Sequence, residues 1–125
     1  MCEKIVLQET DAAVMETLSL VLELEGFVVF PLAADTGDLI DYIDQIRPHI
    51  IMLDYKLDGH ICIDMCHRIK EKYPHLPVIA MSCNCNIHEE YNKAGFDAYI
   101  KKPFDLDRLY YIVRKYIAKP GSASV

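Results

Sequence analysis

Residues 49–54 read His49-Ile50-Ile51-Met52-Leu53-Asp54, an almost wholly apolar run that ends in an acid. A strand without alternation between apolar and polar residues is typical of the centre of a parallel sheet, because helices cover both of its faces. A strand with one face in water would alternate instead. The run therefore predicts a central parallel strand with Asp54 at its carboxyl end.

Strand-like and helix-like segments alternate on both sides of this run. The predicted strands are 4–8, 27–31, 49–53, 77–81 and 97–100. Predicted helices follow each of them, from Val14 to Leu22 with an end at Gly26, from a cap at Asp35 to Ile46, from Ile61 to Ile69, from Ile87 to Ala94, and from about Asp105 to Ala118. Their apolar residues recur at helical spacing, as in Ile61, Met65, Cys66 and Ile69. Strand–helix units with short connections predict an α/β fold, an open parallel sheet with helices on both faces.

Length and composition indicate a single domain. The chain has 125 residues, of which 52% are hydrophobic and 26% charged, enough to bury a core without disulfides or a structural metal. We expect residues 1–119 to form this domain and residues 120–125 to be a flexible tail or the stub of a linker. No apolar run approaches the roughly 18 residues that span a bilayer, so we expect no membrane partner.

The charge and the cysteines bear on partners and location. A formal net charge of −6 disfavours nucleic acid as a partner, because neutralising phosphates requires a basic surface. The first residues lack the basic and apolar regions of a signal peptide, and the 5 cysteines are an odd number. Reduced thiols and a cytoplasmic location are the expectation.

Polar residues follow the predicted strands where ligands bind in open α/β sheets. They are Glu9, Thr10 and Asp11 after the first strand, Asp54 and Lys56 at the third, Ser82 after the fourth and Lys102 after the fifth. This set suits phosphoryl transfer to a carboxylate, with Asp54 as nucleophile. Lys102 would hold a phosphoryl oxygen and Ser82 would hydrogen-bond to the acyl phosphate, while a divalent ion would neutralise further charge.

Three segments together resemble the receiver domains of response regulators, of the chemotaxis-protein type, over roughly residues 3–118. They are 50–54, Ser82 after 77–81, and Gly95-Phe96-Asp97-Ala98-Tyr99-Ile100-Lys101-Lys102-Pro103-Phe104. The resemblance implies a (βα)5 flavodoxin-like doubly wound sheet of strand order 2-1-3-4-5. It also implies that Asp54 is the phospho-acceptor, Ser82 the hydroxyl switch, Tyr99 the aromatic rotamer switch and Lys102 the family's lysine. The Lys102–Pro103 bond is expected to be cis.

The same resemblance implies a part in two-component signal transduction. Asp54 would receive its phosphoryl group from a histidine kinase or a phosphotransfer protein, with no enzyme activity beyond self-phosphorylation and self-dephosphorylation. A downstream protein would bind the face formed by the fourth helix, the fifth strand and the fifth helix. Aromatic and cationic residues on that last helix fit such a face, namely Tyr110, Tyr111, Arg114 and Tyr116. We expect a monomer or a weak dimer.

The expected metal site departs from the family pattern. The family places two adjacent acids after the first strand, and this chain has Glu9 and Thr10 there. Glu9, Asp54 and the backbone carbonyl of Lys56 remain as candidate Mg²⁺ ligands, and Thr10 is a poor substitute for a carboxylate, so we expect weakened Mg²⁺ binding. Glu9 is expected to contact the metal through a water molecule, and its alternative role is an ion pair with Lys102 or Lys56. The Lys56 ammonium is a candidate replacement for the metal's charge, and Asp11 is expected to cap the first helix.

Two other classes of function stay open. Thr10 is compatible with a pseudo-receiver, a phosphorylation-independent interaction module. Cys83 and Cys85 with His88 suggest a zinc site or an oxidant sensor. Cys62 and Cys66 have the spacing of small buried hydrophobic residues on a helix.

Overall fold

The computed structural model describes residues 3–32, 39–55, 60–82, 95–102 and 104–117. The elements in chain order are β1 (Lys4–Gln8), α1 (Ala12–Leu24), β2 (Val28–Leu32), α2 (Leu39–Ile46), β3 (Ile50–Asp54), α3 (His60–Lys72), β4 (Val78–Ser82), β5 (Ala98–Lys101) and α4 (Leu106–Ile117). The helix predicted at 87–94, the cap at Asp35 and the tail at 120–125 lie outside the described residues. The helix predicted as the fifth is therefore α4 here. Within the described ranges, no helix has the length and apolar character needed to cross a membrane.

The sheet has 5 parallel strands in the order β2-β1-β3-β4-β5, which confirms the predicted fold. β3 lies in the middle, and all of its residues are buried. Its apolar sequence is thus explained by its position, because both of its faces are covered.

The core has two layers, one on each face of the sheet. Ile51 and Leu53 of β3 point into the layer covered by α2 and α3, and Ile50 and Met52 point into the layer covered by α1 and α4. This alternation is the period of a strand. The helices contribute Leu39, Ile43, Met65 and Ile69 on the first face and Leu18, Leu22, Leu109 and Val113 on the second.

Strands β2 to β5 each begin and end one residue later than the sequence predicts. β2 ends at Leu32, opposite Gln8, whereas β3, β4 and β5 continue their pairing through a polar residue, with Asp54 opposite Met81 and Ser82 opposite Lys101. A pattern of apolar residues cannot reveal this extension. Asp54 and Ser82 therefore occupy the last strand positions, where the sheet holds their backbones.

Helix α1 has clear signals at both ends. The Asp11 carboxylate accepts hydrogen bonds from the backbone N–H groups of Ala13 and Val14, at 2.9 and 3.2 Å, which confirms its predicted capping role. The chain leaves the helix through Gly26, whose φ of +96° is a left-handed conformation that a side chain disfavours. The Asp11 cap fixes the start of α1 directly after Glu9 and Thr10.

Candidate functional site

Three strands bring charged side chains together at the carboxyl edge of the sheet. Lys102 Nζ lies 2.6 Å from Glu9 Oε1 and 3.0 Å from Asp54 Oδ1. The acids are almost completely buried, with side-chain exposures of 1% for Glu9 and 2% for Asp54. Lys102 therefore bridges two carboxylates that have little access to water.

Asp54 has further partners from β1. The Thr10 hydroxyl donates to Asp54 Oδ2 at 3.2 Å, and the Asp54 backbone N–H donates to Gln8 Oε1 at 3.0 Å. Sequence reasoning missed Gln8. The available signal was a polar residue that ends an otherwise apolar strand, which suggests a specific buried partner because burying an amide without a hydrogen bond is costly.

Glu9 occupies one of the two roles that the sequence left open. Its Oε1 atom pairs with Lys102, and its Oε2 atom accepts the backbone N–H of Asp11 at 3.0 Å. Glu9 thus connects the Lys102 ammonium to the start of α1. A water-mediated metal contact from Glu9 stays a prediction.

Ser82 ends β4, the neighbour of β3, and Tyr99 lies on β5, the next strand outward. Ser82 is fully buried, and its carbonyl accepts the backbone N–H of Lys102 at 2.8 Å. The half-buried Tyr99 ring packs against the core, and the Arg108 guanidinium carbon lies 5.6 Å from the ring centroid. Ser82 is next to the site, whereas the switching roles of both residues stay predictions.

Several predicted site residues lie outside the described residues. They are Lys56, Cys83, Cys85, His88 and Pro103. Cys62 and Cys66 are described, and both are buried free thiols. Burial raises the pKa of Cys66 to about 12 and raises that of Cys62 as well, so neither is a reactive thiolate near neutral pH.

The charges at the site stabilise one another. Burial alone raises the pKa of Asp54, but the hydrogen bond and charge of Lys102 and the Thr10 hydroxyl bring it below its ordinary value of 3.8. Burial lowers the pKa of Lys102, and its bonds to Glu9 and Asp54 outweigh this effect and raise it above 10.5. Asp54 is therefore a carboxylate, and Lys102 an ammonium, across the physiological pH range.

These shifts predict how stability depends on pH. The Asp54 contribution is complete above the ordinary pKa of 3.8 and is lost as pH falls through the lower folded-state value. The Lys102 contribution is complete below 10.5 and is lost as pH rises through the higher folded-state value. Urea unfolding at a series of pH values should show that, as pH falls, Asp54→Asn loses less free energy of unfolding than the wild type. An equal loss of unfolding free energy in the two proteins as pH falls would contradict the lowered pKa of Asp54.

Comparison with known families gives this arrangement a context. The sequence model of the "Response regulator receiver domain" family matches residues 5–114. The chain belongs to this family. Receiver domains act in two-component signalling, interact with histidine kinases and downstream effector domains, and generally bind Mg²⁺ at an acidic site.

Solved structures show the same fold for this receiver domain. A putative response regulator from Chloroflexus aurantiacus has a TM-score of 0.84 at 24% identity, with 95% of this chain and 100% of that chain covered. A response regulator from Thermotoga maritima has a TM-score of 0.81 at 22% identity, with 95% and 100% covered. NtrX from Brucella abortus has a TM-score of 0.80 at 24% identity, and the match covers 94% of this chain but 27% of NtrX.

The acidic site of this receiver domain does not fit a divalent ion as it stands. Within the described ranges, no three His, Cys, Asp or Glu side chains form a candidate metal site. Glu9 and Asp54 share the Lys102 ammonium, and the neutral Thr10 hydroxyl occupies the position where the family has a second acid. A hard ion such as Mg²⁺ prefers carboxylate oxygens, whereas this site combines two carboxylates with an ammonium that already neutralises part of their charge.

Proposed function

We propose that this receiver domain accepts a phosphoryl group on Asp54 from a histidine kinase or a phosphotransfer protein and thereby switches a protein-binding face. One observation carries the proposal. Asp54 ends the central strand with one carboxylate oxygen on Lys102 at 3.0 Å and the other on Thr10 at 3.2 Å. The carboxylate is thus ionised, oriented and close to a cation that stabilises added negative charge.

The chemistry follows from these groups. An Asp54 oxygen attacks phosphorus, a new O–P bond forms, and the P–N bond of the phosphohistidine donor breaks as its imidazole takes up a proton. The Lys102 ammonium balances the charge that develops on the phosphoryl oxygens. Ser82, which ends the neighbouring strand, donates its hydroxyl to the acyl phosphate once it has formed.

A switch needs a connection from the site to the surface, and β5 is the candidate. Lys102 directly follows β5, and its backbone N–H donates a hydrogen bond to the Ser82 carbonyl. Tyr99 lies on β5, three residues before Lys102. New phosphoryl contacts to Ser82 and Lys102 would shift β5 and the Tyr99 ring. A bias of a few kcal/mol between two existing states is sufficient.

The proposed output face includes β5, α4 and the predicted helix at 87–94. Its described part contains a shallow pocket of about 150 Å³ whose lining includes Tyr99, Arg108, Tyr111 and Lys115. Tyr111 is 64% exposed, whereas Tyr110 and Tyr116 donate their hydroxyls to the backbone carbonyls of Val21 and Asp97. Aromatic and cationic side chains on an acidic protein suit a partner with apolar and acidic groups.

The test of the proposal is a phosphorylation assay with an exposed-acid control. Purified wild type, Asp54→Asn and Asp64→Asn are incubated with a small phosphodonor, with and without Mg²⁺, and weighed by intact mass spectrometry. Asp64 is an exposed acid on α3. We expect one added phosphoryl group on the wild type and on Asp64→Asn, and none on Asp54→Asn. A wild type without any adduct, or an adduct that persists on Asp54→Asn, would contradict the proposal.

A phosphorylation-independent interaction module is the second candidate. The observation in its favour is that Lys102 and Thr10 already bind both oxygens of Asp54. In that case a partner recognises one fixed conformation. Equal partner binding by wild type and Asp54→Asn under phosphorylating conditions would support this candidate over the first.

A further inference from the structure

We propose that the acceptor site of this domain works without a divalent metal ion, and that Lys102 and Thr10 orient and neutralise Asp54 in its place. The inference rests on the proposed role of Asp54 as phospho-acceptor. It differs from the family's general use of Mg²⁺ and depends on the contacts at the two acids.

The carboxylate oxygens of Glu9 and Asp54 lie close to donors of the chain. Lys102 Nζ lies 2.6 Å from Glu9 Oε1 and 3.0 Å from Asp54 Oδ1. The backbone N–H of Asp11 donates to Glu9 Oε2 at 3.0 Å, and the Thr10 hydroxyl donates to Asp54 Oδ2 at 3.2 Å. Every carboxylate oxygen of the two acids therefore has a donor from the chain. An ion coordinated by the remaining lone pairs of these oxygens would lie close to the Lys102 ammonium, whose positive charge opposes a second cation.

The net charge of the site is small. Two carboxylates and one ammonium leave the described part of the site with a single net negative charge. A third acid at position 10 would have doubled that charge and supplied another metal-binding oxygen. Mg²⁺ sheds its water reluctantly and takes carboxylates as ligands, so a site with less negative charge holds it less tightly.

Thr10 is held in place beside Asp54. Its neighbours on both sides are fixed, since the Glu9 backbone N–H donates to the Leu32 carbonyl at 3.2 Å and Asp11 caps α1. The short Thr10 side chain is thus held beside Asp54 and has few rotamers to lose. Thr10 acts here as a positioning residue that orients the acceptor carboxylate.

The test begins with metal binding, which requires no phosphoryl transfer. Isothermal titration calorimetry with Mg²⁺ compares wild type, Thr10→Asp and Thr17→Asp. Thr17 is an exposed residue on α1, so Thr17→Asp adds the same charge away from the site. We expect Thr10→Asp to bind Mg²⁺ at least about tenfold more tightly than the other two proteins. Wild-type binding as tight as that of Thr10→Asp would overturn the inference.

A second readout separates this inference from the proposed function. We expect the rate of wild-type phosphorylation by a small phosphodonor to change less than about twofold between Mg²⁺ and a chelator, and Thr10→Asp to depend strongly on Mg²⁺. A wild-type adduct that forms only with Mg²⁺ would overturn the inference and leave the proposed function standing. A wild type that forms no adduct in either condition would overturn the proposed function itself.

Discussion

Replacing Lys102 with methionine is expected to lower the free energy of unfolding by about 3–5 kcal/mol near neutral pH. Methionine keeps much of the lysine stem and removes the ammonium. The substitution leaves Glu9 and Asp54, whose side chains are 1% and 2% exposed, as neighbouring buried carboxylates without their cation. Removing one partner of a buried ion pair is among the most costly single changes because the remaining charge is desolvated and uncompensated.

The measurement is urea unfolding of Lys102→Met against Lys101→Met. Lys101 is the adjacent, exposed lysine, so the control changes the same residue type with little expected loss. Adding Glu9→Gln to Lys102→Met should recover part of the stability, since one buried charge is then removed. Equal stability of Lys102→Met and Lys101→Met would show that the network does not stabilise the fold.

Replacing Asp97 with alanine is expected to cost about 2–3 kcal/mol of unfolding free energy. Asp97 Oδ2 accepts hydrogen bonds from Lys70 Nζ at 2.6 Å and from the Val78 backbone N–H at 2.8 Å. Lys70 Nζ also donates to the Leu76 carbonyl at 2.8 Å. The carboxylate therefore connects α3 to the beginnings of β4 and β5. Its loss removes an acceptor from the buried Val78 N–H and from the partly buried Lys70 ammonium.

Asp64→Ala on the exposed face of α3 is the matched control for this change, since it removes an acid that is exposed to solvent. Urea midpoints for the two variants should differ clearly, with the slope of the transition unchanged if only stability has changed. Ordinary surface substitutions change the free energy of unfolding by less than about 0.5 kcal/mol. A loss in that range for Asp97→Ala would mean that its contacts with Lys70 and Val78 do not stabilise the fold.

The fold was predictable because each strand is an apolar run next to an amphipathic helix. The order of the strands came from the family resemblance, since apolar patterns say that parallel strands exist and do not say which ones are neighbours. The predicted strands β3 and β4 each ended one residue before the observed strands, because Asp54 and Ser82 are polar and yet still pair in the sheet. Polarity marks a strand end on average, and a polar residue that still pairs in the last strand position breaks that rule.

The site was predictable where residue type and position agreed. Asp54 and Lys102 follow strands whose carboxyl ends meet at one edge, and the structure places them 3.0 Å apart. The role of Glu9 could not be decided, because an acid suits a metal and a lysine equally well. Gln8 and the Lys70–Asp97 pair were missed, since side-chain contacts between residues far apart in the chain leave no local pattern.

The contact between Lys102 and Glu9 also determines when the site is completed during synthesis. The two residues are 93 positions apart in the chain, and the cation arrives with the last strand of the sheet. Contacts at such separation form late, because the intervening chain must be ordered first. A nascent chain that still lacks β5 has both acids and no counter-ion. Under the proposed function, an incomplete translation product that lacks β5 is therefore not expected to accept a phosphoryl group.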